Sequence, residues 1–233
     1  MYRIVLSLIM ITFFSSSLFA IERLLDNKVN SLKLMDEVYF ESPDDDNLTM
    51  GWWMPSKVFY LCYLHDGTET QDDIKEIQSL LHDKLVLVVT TGRVGVFGAP
   101  KFAKREEIEN RITIKAKKSD KEVTLQLIEK LPDDLENIIN YMKPFLKDYT
   151  GPYGEATEFF FYMNKDSKGN MLVDPYVNEK ISIDIKAGSG FPGYSTQRDT
   201  ICDALFKSRI CSNGKPAHVT WKYDPWTGEK LQE

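Results

Sequence analysis

The stretch that decides the fold runs from Lys57 to Thr90 and reads KVFYLCYLHDGTETQDDIKEIQSLLHDKLVLVVT. Its first eight residues, Lys57 to Leu64, are a continuous run of apolar, β-branched and aromatic side chains, the composition of a strand buried on both faces. Thr70-Gln71-Asp72-Asp73 sets an acid three residues after a hydroxyl, a capping box, and Ile74, Ile77, Leu80 and Leu81 follow at helical spacing. Leu85 to Thr90 is a second buried-strand run. Strand, helix and strand fill 34 residues, the size of a βαβ unit. Two parallel strands with a right-handed crossover are therefore predicted, and a direct hairpin pairing of the two is excluded.

Downstream, strict alternation takes over. Ile112, Ile114 and Ala116 fall on one face, Lys118-Ser119-Asp120 turns the chain, and Val123, Leu125 and Leu127 return, an antiparallel pair with one wet face. Pro132 with Asp133 and Asp134 opens a helix carried by Leu135, Ile138, Ile139, Met142 and Leu146, which Pro144 should end or kink near Lys143. Glu158 to Met163 reads as a strand, Asn164 to Asn170 as a polar turn, and Ile181, Ile183 and Ile185 as the buried face of a further strand. Gly188, Gly190, Pro192 and Gly193 break all periodicity and read as a hinge into a small C-terminal module. That module is predicted to open on a helix capped by Thr196 with Asp199 and to close on an aromatic strand from His218 to Tyr223.

Upstream, Met1-Tyr2-Arg3, the apolar run Ile4 to Phe14 and the small residues ending at Ala20 have the order of a secretory signal peptide cleaved after Ala20. The run falls short of the roughly 20 residues that span a bilayer. An uncleaved anchor is the rival reading, favoured by the large Leu18 where a small residue is preferred. The organisation expected is a signal peptide over 1–20, a single mature α+β domain over 21–187 and a small module over 188–233. The domain is expected to hold a mixed sheet, one βαβ unit plus antiparallel hairpins, in a periplasmic or secreted protein with no membrane span after the leader.

Loss of Arg3 with the leader takes the formal charge from −6 to −7. Acidic and basic residues are dispersed apart from Asp44-Asp45-Asp46, so phosphate backbones would be repelled and nucleic acid is not the expected partner. Phe 13, Trp 4 and Tyr 11 supply a sizeable core and exclude collagen-like, low-complexity and multi-span classes. In an exported chain Cys202 and Cys211 are the natural disulfide pair. A continuous helix would hold them about 13 Å apart, beyond the roughly 7 Å a bridge allows, so the chain should double back near Lys207. Cys62 reads as a buried core thiol.

Most motifs carry bland readings. Gly92-Arg93-Val94-Gly95-Val96-Phe97-Gly98 lacks the spacing of a dinucleotide or phosphate loop and reads as a glycine-rich turn. Asn164 to Asn170 has Lys168 where a calcium loop needs an oxygen. Cys211-Ser212-Asn213-Gly214 and Asp224-Pro225-Trp226-Thr227-Gly228 look like two zinc-ribbon knuckles without the thiols of either CxxC pair. No GxSxG elbow accompanies His65, His82 and His218. No metal and no cofactor are assigned.

One constellation survives on the expected topology. His65 and Asp66 would leave the carboxyl end of the first parallel strand, and Thr91 and Arg93 that of the second, placing all four on the rim where open α/β sheets bind ligands. His65 and Asp66 are the candidate catalytic pair, Thr91 and Arg93 the candidate binding residues. Trp52, Trp53, Trp221 and Trp226 could form a sugar-stacking surface, although a core absorbs them more easily. The function expected is non-catalytic recognition of a protein partner, as an envelope interaction protein or an inhibitor. The alternative is a hydrolase of glycan or peptide centred on His65 and Asp66.

Overall fold

The computed structural model describes residues 21–43, 47–63, 70–95, 97–118 and 121–232. Helices and antiparallel strands in several sheets make an α+β fold. The larger sheet runs in the order β1 (Tyr39–Glu41), β2 (Asn47–Pro55), β3 (Lys84–Val94), β8 (Glu158–Met163), β7 (Gln126–Leu127), with β4 (Pro100–Phe102) also on β3. The second sheet has the order β10 (Tyr194–Asp199), β9 (Lys180–Ile185), β5 (Ile112–Lys118), β6 (Lys121–Thr124).

The predicted βαβ unit is corrected. Ser56–Tyr63 is a helix, α2, and the strand before it is β2, antiparallel to β3 over nine residue pairs from Asn47↔Arg93 to Pro55↔Leu85. A continuous apolar run does not distinguish a buried strand from a helix covered on all sides. Here Val58, Phe59, Tyr60 and Leu61 are all buried, and α2 contacts β2, β3, α1 (Ser31–Val38) and α3 (Gln71–Leu81). The true partner strand has a weak sequence signal, because Gly51 and Pro55 argue against a strand and residues 51–55 are buried without alternation. Gly51 is required where it stands, since a Cβ there would lie 2.3 Å from the Val88 carbonyl oxygen.

Some other elements follow their sequence patterns, but the return strand expected through Val123, Leu125 and Leu127 divides, Lys121–Thr124 pairing with β5 and Gln126–Leu127 with β8 in the larger sheet. The α3 capping box forms, with the Thr70 hydroxyl accepting from the Asp73 N–H and the Asp73 carboxylate accepting from the Thr70 N–H at 2.8 Å. Ile112, Ile114 and Ala116 of β5 lie directly opposite Ile185, Ile183 and Ile181 of β9, a cross-strand apolar ladder. The helix Asp133–Thr150 passes through Pro144 instead of ending at Lys143. One missing N–H is outweighed where Met142 and Leu146 are buried on either side of the proline, and the helix ends at Gly151, φ 64°.

Two C-terminal expectations change. Gly188 and Phe191 exchange both backbone hydrogen bonds around Ser189 and Gly190, both at positive φ, so the glycine stretch includes a two-residue reversal. Thr196 to Asp199 belongs to β10, not to a helix, with Asp199 paired to Lys180 at 2.6 Å. The remaining chain forms a 3-10 turn (Asp203–Leu205), the ribbon β11 (Arg209–Ile210) with β12 (Pro216–Ala217), and turns to residue 232. Residues 21–28 strap this region to the body. Leu24 N–H donates to the Leu205 carbonyl and Lys207 N–H to that of Glu22, while Asp26 accepts from the Lys57 ammonium and Tyr60 hydroxyl.

The expected Cys202–Cys211 disulfide is also corrected: both thiols are free. The chain does not double back near Lys207. It leaves the 3-10 turn extended into β11 and reverses only after Cys211, where Gly214, φ 78°, donates to the Cys211 carbonyl. Cys202 therefore packs in the main core, and Cys211 in a separate cluster with Ala217 and Leu231.

Candidate functional site

His65 and Asp66 lie outside the described residues. Thr91 is buried in β3, its hydroxyl without a protein partner, directly opposite Thr49, whose hydroxyl is likewise unpartnered. Arg93 is exposed two residues on, its guanidinium 6.0 Å from the Phe191 ring centroid. The rim that was to join the four rested on parallel strands, and β2 and β3 are antiparallel, so Thr91 and Arg93 stand beside the start of β2.

An open concavity is formed by described residues of the C-terminal region. A cleft of about 790 Å3 is lined by Ile21, Arg209, Val219, Thr220, Trp221, Lys222, Tyr223, Lys230, Leu231 and Gln232. Two polar anchors build it. The Arg209 Nη2 donates to the carbonyls of His218, Val219 and Trp221 at 3.3, 2.9 and 2.7 Å, fixing the turn that presents Trp221. The segment predicted as an aromatic strand, His218 to Tyr223, is this turn, because the carbonyls of His218, Val219 and Trp221 go to the guanidinium, and strand-like pairing is confined to its end, where Tyr223 bridges Lys230 and the Lys222 carbonyl accepts from the Leu231 N–H.

Asp224 is the second anchor. Its carboxylate accepts from the N–H groups of Ser212 at 2.6 Å, Trp226 at 2.8 Å and Thr227 at 3.3 Å, joining the two knuckle-like turns that resemble a zinc ribbon in sequence. Those bonds, the one from Ser212 foremost, hold its carboxyl below the usual aspartate range. Gly228 completes the second turn at φ 73°. Trp226 is thereby set edge-on to Trp221, ring centroids 6.1 Å apart, and the imidazole of His218 tilts over Trp221 at 6.2 Å.

A hydroxyl, an imidazole and a carboxylate also meet at this edge. His218 Nδ1 lies 2.7 Å from the Thr220 hydroxyl oxygen, and Nε2 lies 3.7 Å from Asp203 Oδ1. This is a turn, not a relay for nucleophilic attack. The Thr220 N–H already donates to Nδ1 at 3.2 Å, Asp203 Oδ1 accepts from the Val219 N–H at 2.9 Å, and 3.7 Å is too long for a hydrogen bond to the ring. The thiols are no better suited. Burial pushes Cys62 up to about 12 and raises Cys202 well above its ordinary value, and an unionised thiol is a poor nucleophile. Among the described residues no three His, Cys, Asp or Glu side chains are grouped to hold a metal ion, and no helix is long and apolar enough to cross a membrane.

No family model, curated protein or solved structure matches the chain. The cleft was only partly legible beforehand. Trp221 stands out in the sequence, but Arg209, Lys222 and Lys230 carry no motif, and their convergence depends on contacts between residues distant along the chain, such as the Arg209 bond to the Trp221 carbonyl and the packing of Cys211 with Leu231.

Proposed function

We propose that this is an exported protein that works by non-catalytic recognition of another protein, as an envelope interaction partner or an inhibitor, through the cleft beside Trp221. The observation that carries the reading is the exposure of Trp221, Tyr223 and Trp226, at 38, 59 and 56%. Large aromatics and arginine dominate the energetics of protein interfaces. Rings already oriented by Arg209 and Asp224 lose little further freedom when a partner covers them. Export rests on the leader-like residues 1–20, and the net negative charge disfavours polyanions as partners.

The test is a photoreactive aromatic amino acid installed at position 226 in cells. A discrete adduct in the envelope fraction, lost when Trp221→Ala is added, together with an intact mass beginning at Ile21, supports the reading. Absence of any adduct, with hydrolysis of glycan or peptide substrates that His65→Ala abolishes, overturns it in favour of the hydrolase.

A further inference from the structure

The chain carries 35 acidic residues against 29 basic, yet among the described residues the charged side chains lining the aromatic cleft are Arg209, Lys222 and Lys230, all cations. The Arg209 guanidinium is held by carbonyl dipoles, which orient the charge without neutralising it. In the adjoining shallow depression of about 410 Å3 the anions are Asp224 and Glu229, and the oxygens of Asp224 are taken by three backbone N–H groups. A concave wall of one charge sign focuses potential into the cleft. Ile21, Val219 and Leu231 add an apolar lining beside Trp221.

Resting on the recognition reading above, we infer that the cleft takes an acidic linear segment of the partner protein, with an apolar side chain against Trp221 and a carboxylate at Lys222. Lysine and arginine only donate hydrogen bonds and ionised carboxylates only accept them, so the charged part of the lining matches an acidic peptide, while the oxygens of Thr220, Tyr223 and Gln232 can accept from its backbone N–H groups. The volume suits a short segment, being in the range of clefts that enclose small ligands. Concavity argues against a membrane, whose interfacial aromatics sit on a protruding or flat face. Cleavage after Ala20 would place the new ammonium group on Ile21, a lining residue, and so add a further cation.

The test titrates the full purified chain with three capped hexapeptides: aspartates and glutamates flanking Leu-Phe, the same with Asn and Gln for the acids, and the acidic one with Ser-Ser for Leu-Phe. Binding of the first at least tenfold tighter than either control supports the inference. It should weaken severalfold between about 50 and about 300 mM salt. The variant Lys222→Glu should lose at least tenfold with an unchanged melting temperature. Equal binding of the acidic and neutral apolar peptides, abolished by Trp221→Ala, overturns the acidic preference and leaves recognition at this face standing. No peptide binding at about 1 mM, with sedimentation on phosphatidylglycerol vesicles or retention on a glycan column, overturns both readings at this cleft.

Discussion

The four tryptophans divide evenly between two regions that hold them in opposite ways. Trp52 and Trp53 are neighbours in β2, and because successive strand residues face opposite sides, burying both at 4 and 0% exposure requires cover on both faces of the sheet. Trp221 and Trp226 sit in turns, exposed by 38 and 56%, and their positions come from hydrogen bonds to backbone groups around them. The first pair is held by packing, the second by polar anchors that leave the rings open to solvent. A ring can thus be ordered without being hidden, which is the property a contact surface needs.

Removing a packed ring should break the first half of the contrast outright. Trp53→Ala is expected to cost about 3–5 kcal/mol, since a fully enclosed indole leaves a cavity in the large core. Urea unfolding followed by far-ultraviolet circular dichroism measures it, and a loss below about 1 kcal/mol would mean that β2 is not an inner strand. Gly51→Ala should follow at about 1–3 kcal/mol, because its Cβ would strike the Val88 carbonyl oxygen at 2.3 Å and the Phe40 ring at 2.9 Å, and only the ring can yield. An unchanged midpoint for this variant would contradict the β2–β3 register.

These same strands show where reading the sequence stops. Patterns closed within a few residues were legible: the Thr70–Asp73 box and the alternation of Ile112, Ile114, Ile181, Ile183 and Ile185 each state a local geometry and a buried face. Lys57 to Leu64 was not, because its helix is enclosed and shows no polar face to set a period. Thr196-Gln197-Arg198-Asp199 has the spacing of a capping box but no apolar set at helical spacing behind it, and pairing with β9 prevailed. Cys202 and Cys211 were close in sequence, yet distance between them is set by whether the intervening chain extends, which the β11–β12 ribbon decides. In the cleft the aromatic residues could be noticed, while the sign of the surrounding charge emerged only when Arg209, Lys222 and Lys230 were brought to one wall.

The polar anchors of the second pair make a prediction that the packed pair does not share. Hydrogen bonding holds the Asp224 carboxyl below its unfolded value of about 3.9, so its contribution is present above that pH and disappears as pH falls through the lower, folded value. Acidification below about pH 4 should therefore release the Trp226 turn. Asp224→Asn should remove this step and give, already at neutral pH, the weakened near-ultraviolet signal that the wild type reaches in acid. If variant and wild type lose that signal in parallel, the carboxylate is not what orders the turn.

The smallest effect separates the two pairs most directly. Iodide should quench the emission of Trp221 and Trp226 and leave that of Trp52 and Trp53 nearly untouched, so a plot of quenching against iodide curves downward toward an inaccessible fraction. Trp221→Phe with Trp226→Phe should abolish most of the quenchable emission while changing unfolding stability by no more than about 0.5 kcal/mol per site, because exposed rings away from the core contribute little to folding. The cleft's cations bear on the same experiment: iodide, an anion, should quench more efficiently than neutral acrylamide relative to free tryptophan, and more so at low salt. Equal relative efficiency would mean that Lys222 and Lys230 project no net field over the exposed rings, and the difference between the two pairs would then be one of accessibility alone.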